Sequence, residues 1–175
     1  MSESGTSVSV RRLRAAVITV SDSTHAGTRQ DLSGPAVAGV LASLGFEITG
    51  IVVVPDEEPL IRAAMLKACL QAELVATTGG TGVGPRDFTP EATRAVCERF
   101  LDGIPERMRR EGEKTSPHAV LSRALCGARG QTLILNLPGS PNGAVESLQA
   151  VAGLLPHALE LLSGQTSHAD PSSRQ

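Results

Sequence analysis

The chain has 175 residues, enough for one domain with a real hydrophobic core. It is 41% hydrophobic and 19% charged with a net charge of −2, which gives no electrostatic footprint for nucleic acid or an anionic membrane. Phe46, Phe88 and Phe100 are its only aromatic residues, so the stacking platforms that single-stranded nucleic acid needs are nearly missing.

Residues 1–13 are polar and then basic, with no apolar stretch of a signal peptide, and are expected to be a flexible leading segment. Residues 14–21, RAAVITVS, are apolar and β-branched and predict a buried strand. A polar stretch, DSTHAGTRQD, follows. SGPAVAGVLASLGF then predicts a helix, with Ser33 as its cap, Pro35 in its first turn and Gly45 as its stop. FEITGIVVV, residues 46–54, is a second strand, broken by PDEEP. Helical spacing of Leu60, Ile61, Ala64, Met65 and Ala68 predicts a helix over 58–71.

LVATT, residues 74–78, is a third strand that runs straight into GGTGVGPRD. Thr89-Pro90-Glu91 is a helix start: a capping hydroxyl, a proline in the first turn and an acid beside it. Helices are expected around 104–113 and, shorter, from Ser116-Pro117. TLILN, residues 132–136, is a fourth strand, LPGSPNG a loop, and 144–162 a final amphipathic helix. Residues 163–175 read as a flexible tail.

Strands alternate with helices, and several strands are apolar throughout. That pattern predicts an α/β fold: one three-layer domain over 14–162, its mostly parallel sheet flanked by helices on both faces. Such sheets bind ligands at the carboxyl ends of their strands. All four predicted strand ends carry unusual loops, SDSTHAG, PDEE, GGTGVGPRD and LPGSPNG, which can meet over one crevice.

The glycine loop fits neither familiar nucleotide template. Gly79 and Gly84 have Walker spacing, but Pro85 and Arg86 stand where a lysine and a hydroxyl are required. The dinucleotide fingerprint fails because the next helix starts too late. Bare backbone N–H groups can still form a nest for phosphate oxygens, with Arg86 as a fork beside them. An acid in such a place suits a divalent cation, and magnesium takes one or two carboxylates plus substrate phosphates. Asp87 and Asp56 would supply them. Structural readings stand beside these. Asp56 can simply cap the helix that follows, Asp22 and Ser23 can make an Asx-type turn, and Ser122 and Arg123 can form a surface turn with an ion pair. His25 and His118, in loops, read as solvated, and Arg107, Arg109 and Arg110 as a solvated helix face.

Cys69, Cys97 and Cys126 make no CxxC pair and no zinc spacing. An odd count without a signal peptide points to a reducing, cytoplasmic location. No apolar run approaches the ~20 residues of a membrane span.

Taken together, several motifs resemble the molybdopterin adenylyltransferases of molybdenum cofactor biosynthesis, among them the bacterial MogA and MoaB proteins and the G domain of gephyrin. They are TVSDS at 19–23, D-x-SGP at 31–35, VPDE at 54–57, TTGGTGVGPRDFTPEAT at 77–93, LSRALCGARGQTLILNLPGSP at 121–141 and LPHALELL at 155–162. The resemblance implies magnesium-dependent transfer of AMP from ATP to molybdopterin, giving adenylyl-molybdopterin and pyrophosphate. It also implies a homotrimer and a downstream molybdenum-insertion protein as partner. Some relatives of this kind mainly bind the pterin or act as scaffold, which is the alternative. By motif, the working aspartates fall on Asp56 and Asp87, also the magnesium ligands. Pterin and nucleotide contacts fall on Ser21, Asp22, Ser23, Thr78, Gly79, Gly80, Thr81, Gly82, Arg86, Ser122, Arg123, Pro138, Gly139 and Ser140. The stretch Ser140-Pro141-Asn142-Gly143 departs from the pattern after LPG, and would alter the rim without removing its backbone nest.

Overall fold

Four apolar strands lie side by side and point the same way. In the computed structural model, which describes residues 12–164, these are β1 (Arg14–Val20), β2 (Glu47–Val54), β3 (Leu74–Thr78) and β6 (Thr132–Leu137). Two short strands, β4 (Arg99–Phe100) and β5 (Cys126–Arg129), complete a six-stranded sheet of order β2-β1-β3-β6-β5-β4. The first four are parallel, and β5 and β4 add antiparallel pairs at one edge.

Side-chain alternation feeds two cores. Ala15 and Val17 of β1 face one layer, built from α2 (Ser33–Ser43), α5 (Gly103–Gly112), α6 (Pro141–Val151) and α7 (Leu155–Ser163). Ala16, Ile18 and Val20 face the other, built from α3 (Glu58–Cys69) and α4 (Thr89–Val96). The expected three-layer α/β domain is therefore the observed one, and helices on both faces bury the central strands.

The edge strand is the exception. Ile51 and Val52 of β2 are 40% and 48% exposed, because no further strand and little helix covers them. β4 and β5 escape the periodicity reading. Two and four residues are too short to show a period, and Gly127 interrupts the second. That glycine has a packing reason: a Cβ there would stand 2.8 Å from Cys97 Cβ and 2.9 Å from the Arg99 carbonyl oxygen.

Two expected caps are used otherwise. The Ser33 hydroxyl is spent on the Thr78 hydroxyl at 2.5 Å, and it is Asp31 Oδ1 that accepts from the Gly34 N–H at 3.0 Å. The Thr89 hydroxyl donates to the Gly79 carbonyl at 2.8 Å, so it ties the glycine loop down instead of capping α4. The predicted final helix starts earlier, at Pro141, and divides at a 3-10 turn over Ala152–Leu154. Pro156 lacks the N–H that would continue the ladder and restricts Leu155 before it, while Gly153 loosens the same turn.

The expected flexible ends lie almost wholly outside the described residues. Within them, Leu13 packs against the first core and α7 runs through Ser163. Among the described residues no helix is long and apolar enough to cross a membrane.

Chain order fixes where a ligand can go. From β1 the chain leaves through α2 to β2 on one side, then crosses through α3 to β3 on the other. The switch point lies between the carboxyl ends of β1 and β3, where Thr19 stands opposite Thr78.

Candidate functional site

A cleft of about 410 Å³ opens at that switch point. Of the predicted residues, Ser21, Asp56, Thr78, Gly79, Gly80, Asp87, Gly139 and Ser140 line it. Asp22, Ser23, Thr81, Gly82, Arg86, Ser122, Arg123 and Pro138 do not. A second cavity of about 200 Å³ takes Ser122, Pro138 and again Ser140, so Ser140 stands where the two meet.

The loop after β1 is a short helix, α1 (Asp22–His25), capped by the Ser21 hydroxyl, which accepts from the Thr24 N–H at 3.3 Å. Its first residue forms a reciprocal clasp with the loop after β2. The Asp22 N–H donates to Asp56 Oδ2 at 2.8 Å, and the Asp56 N–H donates to Asp22 Oδ1 at 2.9 Å. Asp56 therefore does not cap α3, whose first turn begins at an uncapped Glu57.

Arg86 closes the same cluster. It donates to Asp22 from Nε at 2.6 Å and from Nη2 at 2.9 Å. The fork expected for phosphate is thus engaged by a carboxylate in this state. Arg86 holds the Asp22 carboxyl below its usual range, helped by the Asp56 N–H. Asp56 moves the other way. Burial pushes its carboxyl up, and the Asp22 and Asp87 charges push in the same direction, against the hydrogen bond from the Asp22 N–H.

The four glycines now have individual reasons. Gly82 and Gly84 wrap the Asp87 carboxylate: a Cβ on either would stand 2.8 Å from its Oδ2. That oxygen accepts from the Gly84 N–H at 2.7 Å. At Gly80 a Cβ would stand 2.5 Å from the Thr89 hydroxyl and 3.4 Å from Asp56 Oδ1. Gly79 has φ +96°, and a Cβ there would land on the Val20 carbonyl oxygen.

Gly79→Ala is accordingly expected to destabilise the fold by about 3 kcal/mol, combining left-handed strain with a backbone clash. Gly27 also has a positive φ, +74°, but open space around it. Gly27→Ala is expected to cost about 1 kcal/mol, from conformation alone. Urea unfolding of both variants separates the clash from the strain.

Polar side chains without a predicted site role also line the cleft, among them Asp31, Arg29 and Gln30. Asp31 sits in the polar stretch after α1 and accepts from the Thr19 hydroxyl at 2.7 Å and the Gly34 N–H at 3.0 Å. Arg29 and Gln30 precede it on the rim. Among the described residues no carboxylate pairs with Arg29, so it is a guanidinium available to the cleft. No local pattern marks it; only the fold of the loop brings it there. The D-x-SGP spacing was the available signal for Asp31.

Ser122 and Arg123 part company. Ser122 lines the second cavity, and Arg109, assigned to a solvated face, also lines it and donates to the Ser122 carbonyl at 3.3 Å. Arg123 turns to the glycine loop.

A doubly wound α/β sheet, with glycine loop, paired carboxylates and a helix start gathered at its switch point, defines a domain that takes ligands at the carboxyl edge of its strands. Residues 16–157 match the family model described as a probable molybdopterin binding domain, and the chain belongs to that family. It is 40% identical over 162 residues to a molybdopterin adenylyltransferase of Helicobacter pylori, covering 89% of this chain and 90% of that one. It is 36% identical over 169 residues to the molybdopterin adenylyltransferase of Escherichia coli K12, covering 87% and 86%. Among solved structures, the molybdopterin biosynthesis enzyme MoaB of Thermus thermophilus superposes with a TM-score of 0.82 at 48% identity, covering 87% of this chain and 97% of that one.

Proposed function

We propose that the protein is a molybdopterin adenylyltransferase, transferring AMP from ATP to molybdopterin in molybdenum cofactor biosynthesis. The observation that carries this reading is the pair Asp56 and Asp87 on one cleft with the glycine loop between them. Relatives of 36% and 40% identity over most of the chain bear that activity in their names.

The chemistry balances without a side-chain nucleophile. An oxygen of the molybdopterin phosphate attacks the α-phosphorus of ATP. The new P–O bond forms as the bond to the β-phosphate oxygen breaks, and pyrophosphate leaves. Catalysis of this kind is positioning and charge stabilisation. The N-terminus of α6, with Ser140 as cap and Pro141 next to it, borders the cleft and adds a favourable dipole for phosphate. Arg29, which lines the same cleft, supplies a cation. Arg86 contributes by holding Asp22, and through it Asp56, in register. The second cavity beside Ser140 supports two substrates bound side by side.

Magnesium fits as an ion carried in with the nucleotide. Three carboxylates, Asp31, Asp56 and Asp87, border the cleft, and burial of Asp56 beside the Asp87 charge favours a neutralising cation. Among the described residues no group of three His, Cys, Asp or Glu side chains gathers into a self-sufficient metal site. Asp56 and Asp87 would hold the ion, which neutralises charge on the phosphates.

Self-association as a homotrimer accords with the apolar side chains left exposed on β2, and sedimentation measures it. The product would pass to a molybdenum-insertion protein, and the working place is the cytoplasm. A pyrophosphate-release assay with ATP and magnesium, with and without molybdopterin, tests the activity. Molybdopterin-dependent release is expected. Tight pterin binding without release would instead support a binding or scaffold role.

A further inference from the structure

We infer that Arg123 is a positioning residue: its guanidinium, clasped to Glu91, fixes the peptide planes of the 82–87 loop and so presents the Asp87 carboxylate to the cleft. The inference rests on the proposed activity only in taking Asp87 as a working group.

Arg123 borders neither cavity. Its backbone N–H, Nε and Nη2 donate to one loop. The backbone N–H donates to the Thr81 carbonyl at 2.8 Å, Nε to the Gly82 carbonyl at 2.6 Å and Nη2 to the Asp87 carbonyl at 2.6 Å. Nη1 meets Glu91 Oε1 at 2.5 Å and Nη2 reaches Oε2 at 3.4 Å. Glu91 lies in the first turn of α4, so the fork ties the loop to the helix that follows it.

Peptide geometry gives this clasp a direction. In a trans peptide the C=O and the next N–H point opposite ways. Turning the Thr81, Gly82 and Asp87 carbonyls toward Arg123 therefore turns the N–H groups of Gly82, Val83 and Phe88 away from it. With both ends of the turn held, the Gly84 N–H can meet Asp87 Oδ2 and the Asp87 N–H can meet the Gly84 carbonyl, at 2.7 and 3.1 Å. A loop this rich in glycine has large freedom to lose, and the clasp supplies fixed points at low entropy cost.

A plain surface ion pair would be worth little, and the Arg123 and Glu91 side chains are 37% and 45% exposed. The two carbonyls that the guanidinium itself holds, of Gly82 and Asp87, distinguish this case. Lysine presents one compact charge and cannot span the Gly82 and Asp87 oxygens together with Glu91.

Arg123→Ala and Arg123→Lys in the full chain test the inference, with amide exchange followed by NMR. In Arg123→Ala the Gly84 and Asp87 amides are expected to exchange at least about tenfold faster, with the amides of β3 and β6 unchanged. Lysine should restore the slow exchange only in part, while added ethylguanidinium should slow it again in the alanine variant. Turnover should fall about tenfold, with the KM for molybdopterin within about twofold of wild type. Unchanged exchange at Gly84 and Asp87 overturns the inference. So does faster exchange spread evenly over β3 and β6, which marks a role in global stability. A raised KM for ATP at unchanged kcat overturns it too, because it marks direct substrate contact. Wild-type protein that transfers no AMP would strike the proposed activity alone, and the exchange measurement would still decide the clasp.

Discussion

Asp87→Asn is expected to lower the rate of AMP transfer by about 10²–10³-fold while leaving molybdopterin affinity near wild type, the scale seen when one charge-stabilising group is removed. Geometry makes the substitution mild for the fold. Asp87 Oδ2 accepts from the Gly84 N–H, and an asparagine carbonyl oxygen can do the same. The asparagine NH₂ then faces the cleft in place of a charged oxygen. In the proposed reaction two anionic substrates meet there, so the lost charge would matter most where the magnesium would sit. Single-turnover transfer from α-labelled ATP, measured across a magnesium series, reads the effect. Turnover equal to wild type at every magnesium concentration would remove Asp87 from the working pair. A loss that disappears at high magnesium would place its role in metal affinity alone.

Much of this arrangement is legible in the sequence, for physical reasons. Central strands are buried on both faces, so β1, β3 and β6 print unbroken apolar runs, and the loops that follow them print their glycines and acids. The two-layer core, the switch point and the cleft residues Ser21, Asp56, Asp87 and Ser140 follow from that pattern plus the resemblance. What stays hidden is mutual occupancy. A spacing rule sees Arg86 as a free fork, but not that its Nε and Nη2 both donate to Asp22. It sees Ser33 and Thr89 as caps, but not that each finds a buried partner elsewhere. Arg123 is marked as near the pocket, but its guanidinium faces two carbonyls, of Gly82 and Asp87, that no one-dimensional pattern records. β4 and β5 are hidden for a simpler reason, being too short to carry a period.

Asp56→Asn should separate stability from activity. Burial holds the Asp56 carboxyl above the ordinary carboxylate range, with the Asp22 and Asp87 charges adding to the shift. The folded chain therefore binds this proton more tightly than the unfolded chain does. The stabilisation is complete below the unfolded value of about 3.9 and is lost as pH rises through the raised folded value. At neutral pH the wild-type fold carries a half-buried charge that it would be more stable without. Asparagine removes the charge and keeps an oxygen to accept the Asp22 N–H, now held by Asp56 Oδ2. The variant should thus unfold at the same temperature as wild type or higher at pH 7–8, and its advantage should shrink as pH falls toward 4. Activity should move the opposite way, falling about 10²-fold, because in the proposed reaction the same charge is what the site would offer to magnesium. Thermal unfolding between pH 4 and 8, set beside AMP transfer, checks both halves. A variant less stable than wild type at neutral pH, by a margin indifferent to pH, would mean that the carboxylate is kept for its clasp with Asp22 and not for its charge.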